Sequence, residues 1–592
     1  MNLKRSTGFA LVTVFLLVLT GGWVWDNVFA KNDDFYESII RFDDIMRKIK
    51  TNYVVDVPAE SLIVYAVNGM RDILDPHTNY FEEKEYDNLM THTKGEFGGL
   101  GITIGLTDNV LTIIAPLPIP NSPAMKVGLQ AGDRIVKIEG KSTEGIALDE
   151  AVDKLRGPKG TVITITIARE GEAAPFDVEI ERDIIKINSV TYHGIVDDKN
   201  KVGYIKLVSF TQVSSKEVED AVNDLKAKGM KSLILDLRMN PGGLLKEAVG
   251  VAEKFLPKGK LVVYTQGRNA SQKSVFEAAE DPILGSQVPL IVLVDMGSAS
   301  ASEIVAGAIQ DHDRGVIMGN ETFGKGSVQT ILPLEQKKAL KLTTAYYYTP
   351  SGRCINKLSN EVGSKRHEAE AEDEVSKKKD TTAAKPKKEE FKTLTLGRTV
   401  YGGGGITPDI DVVPERYSPL EREIVNKSHF FKFATTEIAQ MKAKNIKMNE
   451  DSFKVTEELY NNFIAFLKKR EFTYKSPELT VFADFKKTVD RGRKDLSDTS
   501  KTVSGPFDKE VDNAASALEA ILNKDRDHAF VRFKEDIKDR LIQSFLGTSP
   551  NQDPYYRYVL KRDRYVTEAI KVAVDRKRYD SVLKKDFKRS GL

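Results

Sequence analysis

Residues 289–311 read PLIVLVDMGSASASEIVAGAIQD: an apolar strand, a tight turn of tiny residues, then a helix. Ser300 stands at the junction. Such a turn suits a nucleophilic hydroxyl, because the helix N-terminus offers free N–H groups and a partial positive charge to a developing oxyanion. Small neighbours let a substrate backbone come close. The same residues also read as an ordinary helix start in which Ser298, Ser300 or Ser302 caps the first turn. There is no GxSxG motif and no His or Asp pattern that completes an ordinary triad in sequence order, so a base has to come from elsewhere.

Downstream, residues 315–331 read GVIMGNETFGKGSVQTI. Lys325 lies between two glycines, and Val328–Leu332 reads as a strand, so even spacing places Lys325 and Gln329 on one face. A lysine serves as general base at neutral pH only where burial lowers its pKa from about 10.4 by roughly 3 units, at a cost on the order of 4 kcal/mol. The Gln329 amide is suited to orienting such an amine. Gly319–Lys325 also matches the GxxxxGK of a phosphate-binding loop, but Gly326 stands where magnesium chemistry needs Ser or Thr, and a strand follows instead of a helix. Nucleotide binding is not supported.

Around this core the chain has 592 residues, which at roughly 100–200 per domain implies three to five folding units. Hydrophobic residues at 41% and charged residues at 29% describe a globular chain, and 88 Lys plus Arg against 86 Asp plus Glu give no general attraction for nucleic acid. The single cysteine, Cys354, excludes an intrachain disulfide and any Cys-built metal site, and the seven scattered histidines include no HExxH, so no metal or cofactor is expected. Lys4 and Arg5 precede the apolar stretch Phe9–Leu19, and Val28-Phe29-Ala30 supplies a small-residue cleavage site, so residues 1–30 read as a signal peptide or, uncleaved, as a membrane anchor. Residues 31–94 carry Phe35, Ile39, Phe42, Ile45 and Ile49 at helical spacing. Short β runs and the helix Ala147–Leu155 fill 95–185, and alternating strands and helices over 186–415 suggest an α/β core. Within it, 357–392 is a charged insertion with too few apolar residues to fold, and 416–592 reads as an accessory helical domain.

SASASEIVAGAIQD and ETFGKGSVQ, spaced as they are here, closely resemble the carboxy-terminal processing (tail-specific) proteases, serine peptidases of the S41 type. The likeness runs from LDPHTNY (74–80) to YGGGGITPD (401–409). It implies a multidomain α/β plus α+β chain in which a PDZ β-domain precedes a mixed-sheet, crotonase/ClpP-like protease core, with helical N- and C-terminal regions. It also implies Ser300 as nucleophile, Lys325 as base and Gln329 as its support, with Ser298 and Ser302 structural. In DLRMNPGGLL (236–245) the resemblance assigns Gly243, with Gly242 as the less secure choice, to an oxyanion hole completed by Ala301.

Residues 95–185 look like a PDZ domain whose carboxylate-binding loop is Gly98-Gly99-Leu100-Gly101-Ile102, with Leu148 and Val152 lining an apolar pocket. Arg156 is either a coupling residue between this domain and the protease or a surface arginine. Together these features imply an exported endopeptidase, periplasmic and either soluble or anchored to the inner membrane. It would recognise apolar, unstructured protein C-termini; a latent PDZ scaffold is the alternative. Protein or peptide substrates are the expected partners, and an adaptor or a homo-oligomer is compatible with the resemblance.

Overall fold

The computed structural model describes residues 33–114, 122–335, 337–357, 388–443, 452–495, 507–549 and 551–584. The leader expected over 1–30 and most of the charged insertion expected over 357–392 lie outside the described residues. The chain forms two compact units, one of residues up to Tyr86 with Gln329–Thr344, the other of Asp87–Val328, Ala345–Lys357 and Lys385 onward. In the first, α1 (Asp33–Asn52) and α2 (Ala59–Asp72) follow the helical periodicity. A short strand, β1 (Asn79–Phe81), which helical spacing does not reveal, pairs antiparallel with Ala339–Lys341. The apolar positions of α1 are open, with Phe35 66% and Ile45 49% exposed.

Helix α3 (Glu83–Lys94) leads into β2 (Glu96–Gly99) and the expected β domain: β3 (Ile104–Thr107), β4 (Val110–Ile113), the single turn α4 (Pro123–Lys126), β5 (Arg134–Ile138), β6 (Lys141–Ser142), α5 (Leu148–Leu155), β7 (Val162–Ala168) and β8 (Phe176–Glu181). Strand order is β3-β4-β5-β7-β8, antiparallel throughout. On β7, Ile163, Ile165 and Ile167 are buried while Val162 is exposed, the alternation that a one-residue slip would invert. β9 (Asp183–Lys186) pairs back onto β2 and closes the domain at its base.

The chain then alternates through β10 (Val190–Asp197), β11 (Val202–Leu207), α6 (Ser214–Ala227), β12 (Ser232–Asp236), α7 (Leu245–Glu253), β13 (Leu261–Gly267), β14 (Lys273–Glu277), β15 (Leu290–Val294), α8 (Ala301–Asp311), β16 (Val316–Gly319), β17 (Ser327–Pro333), β18 (Ala339–Tyr348), β19 (Glu390–Lys392), β20 (Thr399–Tyr401) and β21 (Ile410–Asp411). One sheet has the order β10-β11-β12-β15-β16-β21, antiparallel between its first two strands and parallel thereafter. Parallel strands covered on both faces read as unbroken apolar runs, and Leu290–Val294 is buried at every position. Leu233, Leu235, Leu290, Val292 and Val294 face α6, α7 and α8.

The C-terminal region holds α9 (Pro419–Asn426), α10 (His429–Ala443), α11 (Glu457–Lys469), α12 (Pro477–Asp495), α13 (Asp508–Arg532), α14 (Lys534–Gly547), α15 (Asp553–Leu560), α16 (Arg564–Val574) and α17 (Arg576–Val582). Its helices contribute to two cores. Phe430, Phe433, Phe463, Ile537, Leu541 and Phe545 close a core of their own. Val566, Ala569, Val572 and Val582 instead pack on Ile234, Ile291, Leu293 and Met318, the second face of the protease sheet. Helices α15–α17 are therefore structural parts of that core. Among the described residues no helix is long and apolar enough to cross a membrane.

Candidate active site

At the end of β15 the chain turns through Asp295–Ala299 into α8, and Ser300 adopts φ 54°, ψ −110°. A non-glycine residue held there costs about 1–3 kcal/mol and persists only where its surroundings over-determine it. Here the surroundings do so. Asp295 Oδ1 accepts the N–H groups of Gly297 and Met239, each at 2.9 Å. The Asn240 carbonyl accepts from Ala299 N–H at 3.0 Å and from the Ser302 hydroxyl at 2.9 Å. The Ser298 hydroxyl donates to the Leu237 carbonyl at 2.8 Å. Ser298 and Ser302 are fully buried and committed to backbone carbonyls, whereas Ser300 is half-exposed.

Glu303, one turn into α8 and fully buried, joins this turn to the lysine loop. Its Oε2 accepts the N–H groups of Ser300 (2.8 Å) and Lys325 (2.9 Å), and its Oε1 accepts Gly324 N–H (2.7 Å) and the Thr322 hydroxyl (2.5 Å). Burial pushes the carboxyl above its usual range, and the four donors pull against that. One carboxylate thus holds the backbones of Ser300 and Lys325 together. Lys325 is half-buried between the buried Gly324 and Gly326. The Tyr347 hydroxyl, also fully buried, donates to the Lys325 carbonyl. Burial holds that phenol well above its ordinary pKa, while a hydrogen bond with the Ser300 side chain acts the other way.

Two expectations about this region change. β17 begins at Ser327, so Lys325 lies ahead of the strand and the even-spacing argument linking it to Gln329 does not apply. Gln329 belongs to the other unit, where its amide nitrogen lies 3.3 Å from Thr343 Oγ1. The less secure oxyanion assignment, Gly242, also falls, because its N–H donates to Asn240 Oδ1 at 2.9 Å. The N–H groups of Gly243 and Ala301, by contrast, have no acceptor among the described residues. Gly242 matters sterically instead: at φ +100°, an added Cβ would lie 2.9 Å from Ala301 N and 2.9 Å from Ser300 Cβ. Gly242→Ala is expected to lower kcat by about 10²-fold, comparable to losing one oxyanion donor; burst kinetics on an activated ester would measure it.

In the β domain, the N–H groups of Leu100, Gly101 and Ile102 have no acceptor among the described residues. They follow Gly99, the last residue of β2, and Gly101 has φ +75°. α5 packs beside β3, turning Ala151 and Leu155 into the core and leaving Val152 half-buried and Leu148 37% exposed. The Leu100 side chain is only 2% exposed, so it is a core residue and contributes backbone alone to the open groove. Arg156 reaches neither Ser300 nor Lys325. Its guanidinium donates to Asn88 Oδ1 at 2.8 Å and lies over the Phe97 ring, tying the β domain to α3. Sequence reasoning missed Glu303, Tyr347 and Asn240; the Ser-Ala-Ser-Glu spacing of a capping box was the signal for Glu303.

The chain thus combines a strained, half-exposed serine at a strand-to-helix turn of an α/β core with a separate β domain. Residues 201–363 match peptidase family S41, 116–169 a PDZ domain, and 420–573 a probable PDZ-protease C-terminal helical domain. A carboxy-terminal-processing protease of Bartonella bacilliformis is 46% identical over 324 residues, 54% of this chain and 73% of that protein. That of Synechocystis sp. is 39% identical over 302 residues, 50% and 68% of the respective chains. Among solved structures, a photosystem II D1 C-terminal processing protease is 28% identical, covering 52% of this chain and 82% of that one at a TM-score of 0.32. The chain belongs to the carboxy-terminal processing protease family of S41 serine peptidases.

Proposed function

We propose that this chain is an exported endopeptidase that binds apolar, unstructured protein C-termini in its PDZ groove and cleaves them through a Ser300–Lys325 acyl-enzyme. Ser300 Oγ attacks the scissile carbonyl carbon while Lys325 Nζ takes its proton. The negative charge that develops on the carbonyl oxygen meets the free N–H groups of Gly243 and Ala301. Lys325 returns the proton to the leaving amine as the C–N bond breaks, then draws a proton from the water that hydrolyses the ester. No cofactor takes part, and residues 1–30 direct the chain across the cytoplasmic membrane to the periplasm, free or anchored.

The observation that carries this reading is the strained, half-exposed Ser300 beside two N–H groups without acceptors, its backbone joined to that of Lys325 by one carboxylate. The test is cleavage of an unfolded reporter followed by intact mass, with apolar and charged C-termini compared. Preference for the apolar tail and loss of cleavage in Ser300→Ala support it; an uncleaved reporter that nonetheless binds would favour a PDZ scaffold.

Peptide recognition is tested at Leu148, since replacing the buried Leu100 would also cost stability. Leu148→Glu is expected to raise the Kd for an apolar C-terminal peptide about tenfold or more, as loss of one apolar side chain's burial implies. A Kd unchanged by fluorescence anisotropy would remove Leu148 from the pocket.

A further inference from the structure

The first turn of α16 touches both loops of the site, although it lies far away in sequence. Asp563 caps this helix, its Oδ1 accepting Tyr565 N–H at 2.8 Å and Val566 N–H at 3.2 Å. The same carboxylate takes a two-pronged bond from Arg238: Nη1 to Oδ1 at 3.1 Å and Nη2 to Oδ2 at 2.8 Å, across 325 positions of sequence. Both side chains are mostly shielded, Arg238 at 15% and Asp563 at 17% exposure. Paired bonds of this kind fix orientation as well as distance. Arg238 also lies 4.7 Å over the Tyr565 ring and holds the fully buried Asp236, which receives Lys206 and Tyr204 as well.

Arg238 begins the turn Arg238-Met239-Asn240-Pro241-Gly242-Gly243 that ends at the oxyanion donor. On the other side, the Tyr565 hydroxyl donates to Asn320 Oδ1. Asn320 in turn is anchored through its N–H to Val294 and through its side chain to the Val412 carbonyl, and it opens the loop that reaches Lys325. Two loops that meet at Ser300 are therefore held by Asp563 and Tyr565, two positions apart at one helix end.

We propose that Asp563 and Tyr565 are positioning residues for the peptidase reaction, holding the Gly243 loop and the Lys325 loop in register across the active site. This rests on the roles given to Ser300, Lys325 and Gly243 above. Neither residue touches substrate. Their effect falls on the chemical step, because a displacement of about 1 Å in a reacting geometry costs on the order of 10²-fold in rate.

The test uses the full chain. Asp563→Asn keeps a side chain that caps a helix as well as aspartate does but removes the charge facing Arg238, and Tyr565→Phe removes only the hydroxyl. Each is expected to lower kcat on the unfolded reporter about tenfold while KM and the Kd of a labelled C-terminal peptide stay within about twofold. Lys571→Ala, on the exposed side of the same helix and paired with Glu568, is expected to leave kcat unchanged. Hydrogen exchange reads the same proposal without turnover: amides of residues 237–244 and 320–326 are expected to exchange faster in Asp563→Asn, with those of β15 unaltered. Unchanged kcat with unchanged exchange would overturn the proposal, as would a loss of kcat matched by an equal loss of peptide affinity or by faster exchange throughout β15. If the wild-type chain does not cleave, the Ser300–Lys325 reading fails, and the exchange result alone decides whether this helix end orders the two loops.

Discussion

Ser300→Ala is expected to lower cleavage of an unfolded, apolar-tailed reporter by on the order of 10⁴-fold or more, with Lys325→Ala close behind and the double variant no worse than either single one. The non-additivity follows from chemistry: a nucleophile and its base act as one unit, so removing either removes the acyl-enzyme path. Single-turnover intact-mass kinetics decide it, and a Ser300→Ala rate within about tenfold of wild type would remove Ser300 from the reaction. Stability separates catalysis from folding in the same series. Because Ser300 is held at φ 54°, Ser300→Gly is expected to be inactive and yet more stable by about 1–2 kcal/mol, the strain being released. Denaturant midpoints measure that gain.

The second large effect is expected from Glu303→Gln. The two side chains have nearly the same shape, yet the environment is hostile to an amide. Both carboxylate oxygens face donors only: Ser300 and Lys325 N–H on one, Gly324 N–H and the Thr322 hydroxyl on the other. A glutamine has one acceptor oxygen and must turn its NH₂ against one of these pairs, leaving two buried donors unpaired at about 1–3 kcal/mol each. The expected result is a loss of about 2–6 kcal/mol in stability and, from the displaced Ser300 and Lys325 backbones, a drop in kcat of about 10²-fold or more. Chemical denaturation and burst kinetics test the two halves separately. A Gln variant as stable and as active as wild type would show that Glu303 does not hold these loops.

The sequence was most informative where a short window carries the signal. The strand Leu290–Val294, the helix entry at Ser300 and the β character of residues 95–185 were legible, because strand period, glycine turns and small-residue junctions are local. The same locality explains the misreadings. The strand β1, too short for any period to show, went unread within a stretch of helical spacing. Even spacing from Gln329 back to Lys325 presumed a strand that starts later, at Ser327. Glu303 escaped notice because glutamate is normally a surface residue, and its burial depends on four donors drawn from two loops.

By itself, then, the sequence determined the alternation of strands and helices along the core and the PDZ and α/β classes, and it singled out Ser300 and Lys325 as candidates for the chemistry. The unbroken apolar run Leu290–Val294 even required cover on both faces of the sheet. It did not say what the second cover is, because any helix with an apolar stripe satisfies that demand. Only the tertiary structure decided that α15–α17 supply it. Only the tertiary structure decided that Asn240 consumes the Gly242 N–H while those of Gly243 and Ala301 meet no acceptor among the described residues, and that Arg238 meets Asp563 across 325 positions. These outcomes rest on contacts between segments distant in the chain, whose geometry no local window encodes.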